Sequence, residues 1–183
     1  MALERIRLLC LDVDGVLTDG GISIDDAGHE QKRFHVRDGA AMRMWSRLGY
    51  EIAVITGRNG MALRHRLREL GVRHVISGSK EKGGAFDGLV AELGISAAET
   101  AMIGDDLPDL PILRRCGMPI AVRDASQEVL DVAKFVTPRP GGSGAVRDAV
   151  EHILKGQGRW IEAVRVFDPE HPAPAPPRVG GGR

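Results

Sequence analysis

The segment CLDVDGVLTDG, residues 10–20, determines how the rest of the chain can be interpreted. The apolar run just before it, residues 6–9, is typical of a buried β-strand. Because side chains two apart on a strand share a face, Asp12 and Asp14 are expected to emerge on the same side, and Gly15 then ends the strand. Two carboxylates at the carboxyl end of a strand are costly unless a cation or a shared proton compensates them.

An Asp-x-Asp-Gly sequence is compatible with two other interpretations. It is often only a solvated turn. It can also begin an EF-hand calcium loop, but the positions that should supply oxygen ligands here hold Val16 and Leu17, and no Glu closes the loop. The choice between these interpretations therefore depends on what the rest of the chain places beside the two carboxylates.

The composition is that of an ordinary globular protein. A length of 183 residues, 43% of them hydrophobic and 27% charged, predicts one domain with its own core. The 25 Lys and Arg balance the 25 Asp and Glu, and aromatics are only 4%, so we expect no nucleic-acid or membrane partner. The two cysteines predict reduced core residues, and the absence of a visible signal peptide or membrane-spanning run predicts a cytoplasmic location.

Strand and helix patterns alternate along the chain. Apolar runs that predict further strands begin at residues 51, 72, 100, 119 and 135, and a helical pattern follows each. This order predicts an α/β fold with a doubly wound, mostly parallel, Rossmann-like sheet. A β-hairpin pattern at residues 21–34 follows the first strand, and its outward apolar residues Ile22, Ile24 and Phe34 predict a covering partner subunit.

The C-terminal part of the chain differs in composition from the rest. We expect one domain over residues 1–160 and a C-terminal tail over residues 161–183. From Asp168 onward the sequence is rich in Pro and Gly, which cannot build a core, so this part of the tail is predicted to be disordered.

Polar residues follow the predicted strands at the point where each strand ends, and parallel topology brings such residues to one edge of the sheet. They are Asp12 and Asp14 after the first strand, Thr56, Gly57 and Arg58 after the second, and Asp105 and Asp106 after the fourth, with Lys82 at the start of the helix after the third. Carboxylates bind Mg²⁺, while a hydroxyl, a backbone N–H and an ammonium can hold phosphate oxygens. The set suits phosphoryl transfer through an aspartyl-phosphate. Lys80 is an alternative to Lys82, although the spacing from Phe86 favours Lys82.

This order of residues resembles the four motifs of the haloacid dehalogenase superfamily. The motifs are DVDG at 12–15, Thr56, Lys82, and GDDLPD at 104–109. Residues 12–20, FHVRDG at 34–39, ITGR at 55–58 and GGSGAVR at 141–147 are further similar to the 3-deoxy-D-manno-octulosonate 8-phosphate phosphatases, which lack a cap domain. The resemblance spans about residues 8–160 and leaves only the tail uncovered.

The resemblance implies a magnesium-dependent phosphoric monoester hydrolase of lipopolysaccharide sugar synthesis. It makes Asp12 the nucleophile and Asp14 the general acid and base. The implied Mg²⁺ ligands are Asp12, the backbone carbonyl of Asp14, and Asp105, with Asp106 and Asp109 in support. The implied groups for the phosphorylated substrate are Thr56, Gly57, Arg58 and Lys82.

The resemblance also implies a homotetramer. The hairpin corresponds to a flap that joins other flaps, and active sites then form between subunits. Arg66 would reach the neighbour's substrate, although a solvated basic face shared with Arg64 and Arg68 is the alternative. Residues 156–160 correspond to a segment that can close over the adjoining site.

Two other functions remain open from the sequence. The first is a phosphatase for a nine-carbon keto-deoxy sugar acid 9-phosphate. Arg58 and Val36 favour the eight-carbon ester over this substrate. The second is a non-catalytic assembly module associated with a sugar nucleotidyltransferase, against which the intact set of site residues argues. A phosphomutase would need a larger cap than the hairpin provides.

Overall fold

The computed structural model describes residues 3–172, and a six-stranded sheet forms its centre. The strands of this sheet are β1 (Leu8–Leu11), β4 (Glu51–Thr56), β5 (His74–Ser77), β6 (Thr100–Gly104), β7 (Met118–Ala121) and β8 (Phe135–Val136). Their order is β5-β4-β1-β6-β7-β8, and every neighbouring pair is parallel. The predicted doubly wound sheet is confirmed, and within the described residues it is parallel throughout.

Helices cover both faces of the sheet. They are α1 (Val36–Arg47), α2 (Met61–Leu70), α3 (Lys82–Leu93), α4 (Leu110–Leu113), α5 (Gln127–Val132), α6 (Ala145–Gly156) and α7 (Trp160–Arg165). Short 3-10 turns occur at Leu3–Arg5, Ala97–Glu99 and Leu107–Asp109. Across residues 3–172, no helix is both long enough and apolar enough to cross a membrane.

The central strand β1 separates two hydrophobic clusters. Leu9 and Leu11 belong to the cluster that includes α1, α2 and α6, whereas Leu8 and Cys10 belong to the cluster that includes α3, α4 and α5. Burial on both faces is expected for a strand in a parallel sheet covered by helices. Since β1 pairs with β4 and β6, the segment that follows it lies between the carboxyl ends of these two strands.

The predicted hairpin is present but short. Its strands β2 (Ser23–Ile24) and β3 (Glu30–Gln31) are antiparallel. Ile22 and Ile24 are 55% and 60% exposed. Phe34, expected to point outward with them, instead packs half-buried against the core cluster of α1. The partner-subunit argument from the sequence therefore rests on the two isoleucines alone.

The C-terminal region contains one further helix. Residues 160–165 form α7, and Ala163 in this helix is fully buried in the same cluster as α1 and α6. We therefore propose that the domain extends to Arg165 instead of ending at residue 160. The disorder predicted from Asp168 falls mostly on residues 173–183, which lie outside the described residues.

Candidate active site

A cleft of about 200 Å³ lies at the carboxyl ends of the central strands. The residues that line it are Asp12, Asp14, Thr56, Gly57, Arg58, Lys82, Asp105, Asp106, Pro108 and Asp109. All of these except Pro108 were predicted as site residues from the sequence. Arg66 is the predicted site residue that does not line the cleft.

Asp12 and Lys82 form an ion pair at the base of the cleft. Asp12 extends β1 by one residue, because its N–H donates to the carbonyl of Ile103 at 3.2 Å. Lys82 is the first residue of α3, and its Nζ lies 2.8 Å from Asp12 Oδ1. Lys82 is buried and lines the cleft, whereas Lys80 is exposed.

A cluster of three carboxylates completes the base of the cleft. One oxygen each from Asp12, Asp105 and Asp109 lies within 4.8 Å of the other two. Asp109 Oδ2 accepts a hydrogen bond of 3.1 Å from the N–H of Asp105, and Asp109 Oδ1 lies 2.8 Å from Lys82 Nζ. Asp109, predicted only to support the metal ligands, is thus a member of the cluster, whereas Asp106 is exposed at the rim of the cleft.

Burial and mutual repulsion disfavour the charged forms of the carboxylates in this cluster. Burial, together with the nearby charges of Asp12 and Asp109, raises the pKa of Asp105 to about 8. Burial and the charge of Asp109 raise the pKa of Asp12 to about 6, although Lys82 opposes the shift. Among the described residues, Asp105 Oδ1 is buried without a hydrogen-bond partner. An orphaned carboxylate oxygen beside two further carboxylates fits Mg²⁺, a hard cation that prefers oxygen ligands.

The turn after Asp14 passes very close to this cluster. Gly15 has a φ of +98°, and a Cβ at this position would lie 2.0 Å from Asp105 Oδ2. Only glycine fits such an approach in this backbone conformation. The GGSG loop packs on the outer side of the turn, where the N–H of Gly142 donates to the carbonyl of Val16 at 2.9 Å.

The carboxylate of Asp14 lies outside the three-carboxylate cluster and contacts two cations. Its Oδ1 contacts the Nζ of Lys32 on the flap, and its Oδ2 lies 3.8 Å from Arg58 Nε. Glu30 Oε1 lies 3.0 Å from both Lys32 Nζ and Arg58 Nη2. The predicted metal contact of Asp14 was through its backbone carbonyl, which stays a prediction.

Lys32 and Glu30 are the residues that sequence reasoning missed. A signal was present, because the two residues are two apart within the hairpin predicted at residues 21–34, where alternate residues are expected on one face. Their opposite charges on that face, next to a predicted cluster of carboxylates, could have indicated a role at the site.

Thr56 ends β4, and its hydroxyl accepts a 3.2 Å hydrogen bond from the N–H of Arg58. The N–H of Ser79 donates to the Thr56 carbonyl at 3.1 Å, which ties this turn to the loop after β5. The turn is therefore held so that the Thr56 side chain, the Gly57 backbone and the Arg58 side chain all line one wall of the cleft.

Arg66 lies outside the cleft of its own chain. Its guanidinium pairs with Glu69 at 2.8 Å and lies against Gly39. Its side chain is only 19% exposed, so it is not part of a solvated basic face, unlike the exposed Arg64 and Arg68. Arg66 Nε has no hydrogen-bond partner in the part of the chain that the structure describes.

Comparison with known proteins identifies the family. The model of haloacid dehalogenase-like hydrolases matches residues 72–149. The chain is 42% identical over 160 residues to the 3-deoxy-D-manno-octulosonate 8-phosphate phosphatase KdsC of Escherichia coli K12, covering 87% of this chain and 85% of the relative. The chain belongs to the KdsC family.

Solved structures of KdsC relatives have the same fold. The 3-deoxy-D-manno-octulosonate 8-phosphate phosphatase of Moraxella catarrhalis, in complex with magnesium, phosphate and KDO, matches with a TM-score of 0.88 and 38% identity over 91% of this chain and 95% of the relative. The cobalt-bound enzyme of Haemophilus influenzae matches with a TM-score of 0.85 and 40% identity over 92% and 96%. The resemblance stated from the sequence motifs is confirmed.

Proposed function

We propose that the protein is a magnesium-dependent phosphatase that hydrolyses 3-deoxy-D-manno-octulosonate 8-phosphate to the free sugar acid and phosphate. The observation that carries the proposal is the Asp12, Asp105 and Asp109 cluster with Lys82 in one cleft, in a chain 42% identical to KdsC. The Moraxella relative, whose structure contains magnesium, phosphate and KDO, supports both the cofactor and the substrate class.

Asp12 is the nucleophile in this proposal. Its carboxylate oxygen forms a bond to phosphorus, the bond from phosphorus to the sugar oxygen breaks, and the leaving oxygen takes the electron pair together with a proton from Asp14. Lys82 contacts Asp12 at 2.8 Å and so fixes the attacking group. Thr56, the N–H of Gly57 and Lys82 hold the non-bridging oxygens.

Water then hydrolyses the aspartyl-phosphate. The water oxygen attacks phosphorus, Asp14 accepts the water proton, and the bond between Asp12 and phosphorus breaks to release phosphate. Asp12, Asp105 and the predicted backbone carbonyl of Asp14, with Asp109 of the same cluster, would hold Mg²⁺, which would supply positive charge to offset the phosphoryl oxygens.

The proposed assembly is a homotetramer with the flaps at its interface. The support is the exposure of Ile22 and Ile24, at 55% and 60%, on a hairpin whose strands have only two residues each. Sedimentation of the wild type tests it, and a monomer mass would contradict it. We expect Ile24→Lys to lower the assembled mass, while Val136→Lys, at a position 41% exposed on the far edge strand β8, leaves it unchanged.

Phosphate release from a panel of esters tests the proposed activity. The panel holds 3-deoxy-D-manno-octulosonate 8-phosphate, a nine-carbon keto-deoxy acid 9-phosphate and p-nitrophenyl phosphate, each with Mg²⁺ or with a chelator. We expect Mg²⁺-dependent release with a strong preference for the eight-carbon ester. A preference for the nine-carbon ester would overturn the substrate assignment, and no release from any ester would favour the assembly module.

The Asp12→Asn variant tests the nucleophile in the same assay. The amide occupies the same space but cannot attack phosphorus, so turnover should fall by at least about 1,000-fold. Turnover close to that of the wild type would show that another group is the nucleophile.

A further inference from the structure

We infer that Lys32 of the flap is a positioning residue for Asp14, holding the carboxylate so that Oδ2 faces the leaving group. The inference rests on the proposed function, because it requires Asp14 to donate a proton to the leaving sugar oxygen. Lys32 would act through Asp14 and not on the substrate itself.

The burial of Lys32 is the first observation. Its side chain is only 3% exposed, although it follows a two-residue strand of a surface hairpin. Lysine is almost never fully buried unless it is paired. Here the ammonium is enclosed between Asp14 Oδ1, which it contacts directly, and Glu30 Oε1 at 3.0 Å.

The direction of the Asp14 side chain is the second observation. Its carboxylate is not a member of the cluster of Asp12, Asp105 and Asp109, and it contacts Lys32 of the flap instead. Asp14 and Arg58 line the cleft, whereas Lys32 is not among the described residues that do so. The ammonium therefore reaches the reacting atoms only through Asp14.

The two oxygens of Asp14 consequently have different roles. Oδ1 accepts the hydrogen bond of the Lys32 ammonium, while Oδ2 lies on the side of Arg58, a residue of the cleft wall. In the first step, the proton for the leaving sugar oxygen departs from Oδ2. In the second step, the same Oδ2 takes the proton of the attacking water. Lys32 keeps its own protons in both steps.

Glu30 connects this arrangement to the register of the hairpin. It lies 3.0 Å from both Lys32 Nζ and Arg58 Nη2, so two carboxylates and two cations form a neutral network between the flap and the cleft. Glu30 lies in β3, where it pairs with Ile24, and Lys32 follows this strand directly, so a slip in the pairing would move both residues relative to Asp14. The flap conformation thereby sets the orientation of the acid.

The test compares two esters that differ in their need for an acid. Leaving-group release is measured in a single turnover, which isolates the first step. In Lys32→Met, which keeps the apolar stem, we expect release of the sugar from the 8-phosphate to slow by about 30- to 100-fold. Release of p-nitrophenolate should stay within about 3-fold of the wild type, because this anion leaves without a proton.

The matched control is Arg33→Met. Arg33 is the next flap residue and also forms an ion pair, with Asp19 at 2.6 Å, but its side chain is 83% exposed and does not contact Asp14. We expect wild-type rates on both esters. In an Asp14→Asn background, Lys32→Met should cause no further loss on the sugar ester, since the two residues act as one unit.

Each outcome separates the inference from the proposed function. An equal loss on both esters, or a rise in KM alone, would overturn the positioning role while the proposed function stands. A wild type that releases neither leaving group would overturn both. If Lys32→Met does not melt and sediment like the wild type, the two esters are compared in Glu30→Gln instead, because this variant keeps the ammonium and removes one group that holds it. A loss in Glu30→Gln on the sugar ester alone supports the inference, and an equal loss on both esters overturns it.

Discussion

Lys82 and Asp109 form a buried ion pair beneath the cleft, with 2.8 Å between Nζ and Oδ1. Their side chains are 7% and 1% exposed. The same ammonium contacts Asp12, so the first residue of α3 and the turn after β6 together fix the position of the proposed nucleophile. This contact gives Lys82 a structural role in addition to the proposed binding of phosphate.

Replacing Lys82 should therefore reduce both stability and activity. Lys82→Met leaves the buried carboxylates of Asp12 and Asp109 without their cation, which should lower the free energy of unfolding by about 3 kcal/mol in the metal-free protein. Chemical denaturation with and without Mg²⁺ measures the effect. Lys80→Met, at an exposed position two residues earlier, is the control and should be neutral. Equal effects of the two variants would contradict the assignment.

Asp109 and Asp106 should differ in their effect on Mg²⁺ affinity. Asp109 belongs to the buried cluster, whereas Asp106 is exposed at the rim. Asp109→Asn keeps an oxygen that can accept from the Asp105 N–H but loses the charge, so we expect Mg²⁺ affinity to fall by about 10- to 100-fold. Titration of activity with Mg²⁺ measures it. A larger loss in Asp106→Asn than in Asp109→Asn would show that the cluster is assigned incorrectly.

The fold could be predicted because the relevant signals are local. The strands β1, β4 and β6 consist mostly of apolar residues that are buried on both faces, and this pattern depends only on burial within a parallel sheet. Gly71 and Gly94 end α2 and α3 in the left-handed conformation that glycine favours, with φ of 72° and 61°. Because the strands are parallel, the polar residues at their carboxyl ends lie at the same edge of the sheet.

The missed features depend on contacts between distant segments. Lys32 pairs with Asp14 only after the flap folds back over the first strand, and nothing in the sequence around Lys32 specifies that distance. The family resemblance implied only a supporting role for Asp109, and its contacts with Lys82 and with the N–H of Asp105 become visible only in the folded chain. The sequence did not predict the burial of Ala163, because α7 has only six residues and a segment rich in Pro and Gly follows it.

Gly15 should be intolerant of a side chain. A Cβ on Gly15 would lie 2.0 Å from Asp105 Oδ2, so Gly15→Ala must displace a proposed metal ligand, and we expect activity to fall by at least about 100-fold. Gly28→Ala is the matched control. Gly28 also has a positive φ, of 82°, but a Cβ there would meet nothing within 4 Å. It should therefore cost only about 1 kcal/mol of stability and leave the Mg²⁺-dependent activity intact.

The metal-free protein should lose stability as the pH rises from about 5.5 to 8. The pKa of Asp105 is raised from 3.8 to about 8 and that of Asp12 to about 6, so in this range the folded state holds protons that the unfolded state has released. Deprotonation then favours unfolding, and the free energy of unfolding should fall by roughly 1–3 kcal/mol. Thermal or chemical denaturation with a chelator measures the slope.

One variant, Asp105→Asn, and the addition of Mg²⁺ identify the groups responsible for this dependence of stability on pH. Asp105→Asn carries no titrating group and should flatten the profile of the metal-free protein, since most of the shift above pH 6 belongs to Asp105. Mg²⁺ should stabilise the wild type more at pH 8 than at pH 5.5, because the cation competes with protons for the same carboxylate oxygens. A metal-free profile that is flat over this range would contradict the raised pKa values of these carboxylates. A Mg²⁺ effect that does not change with pH would mean that Mg²⁺ and protons do not compete for them.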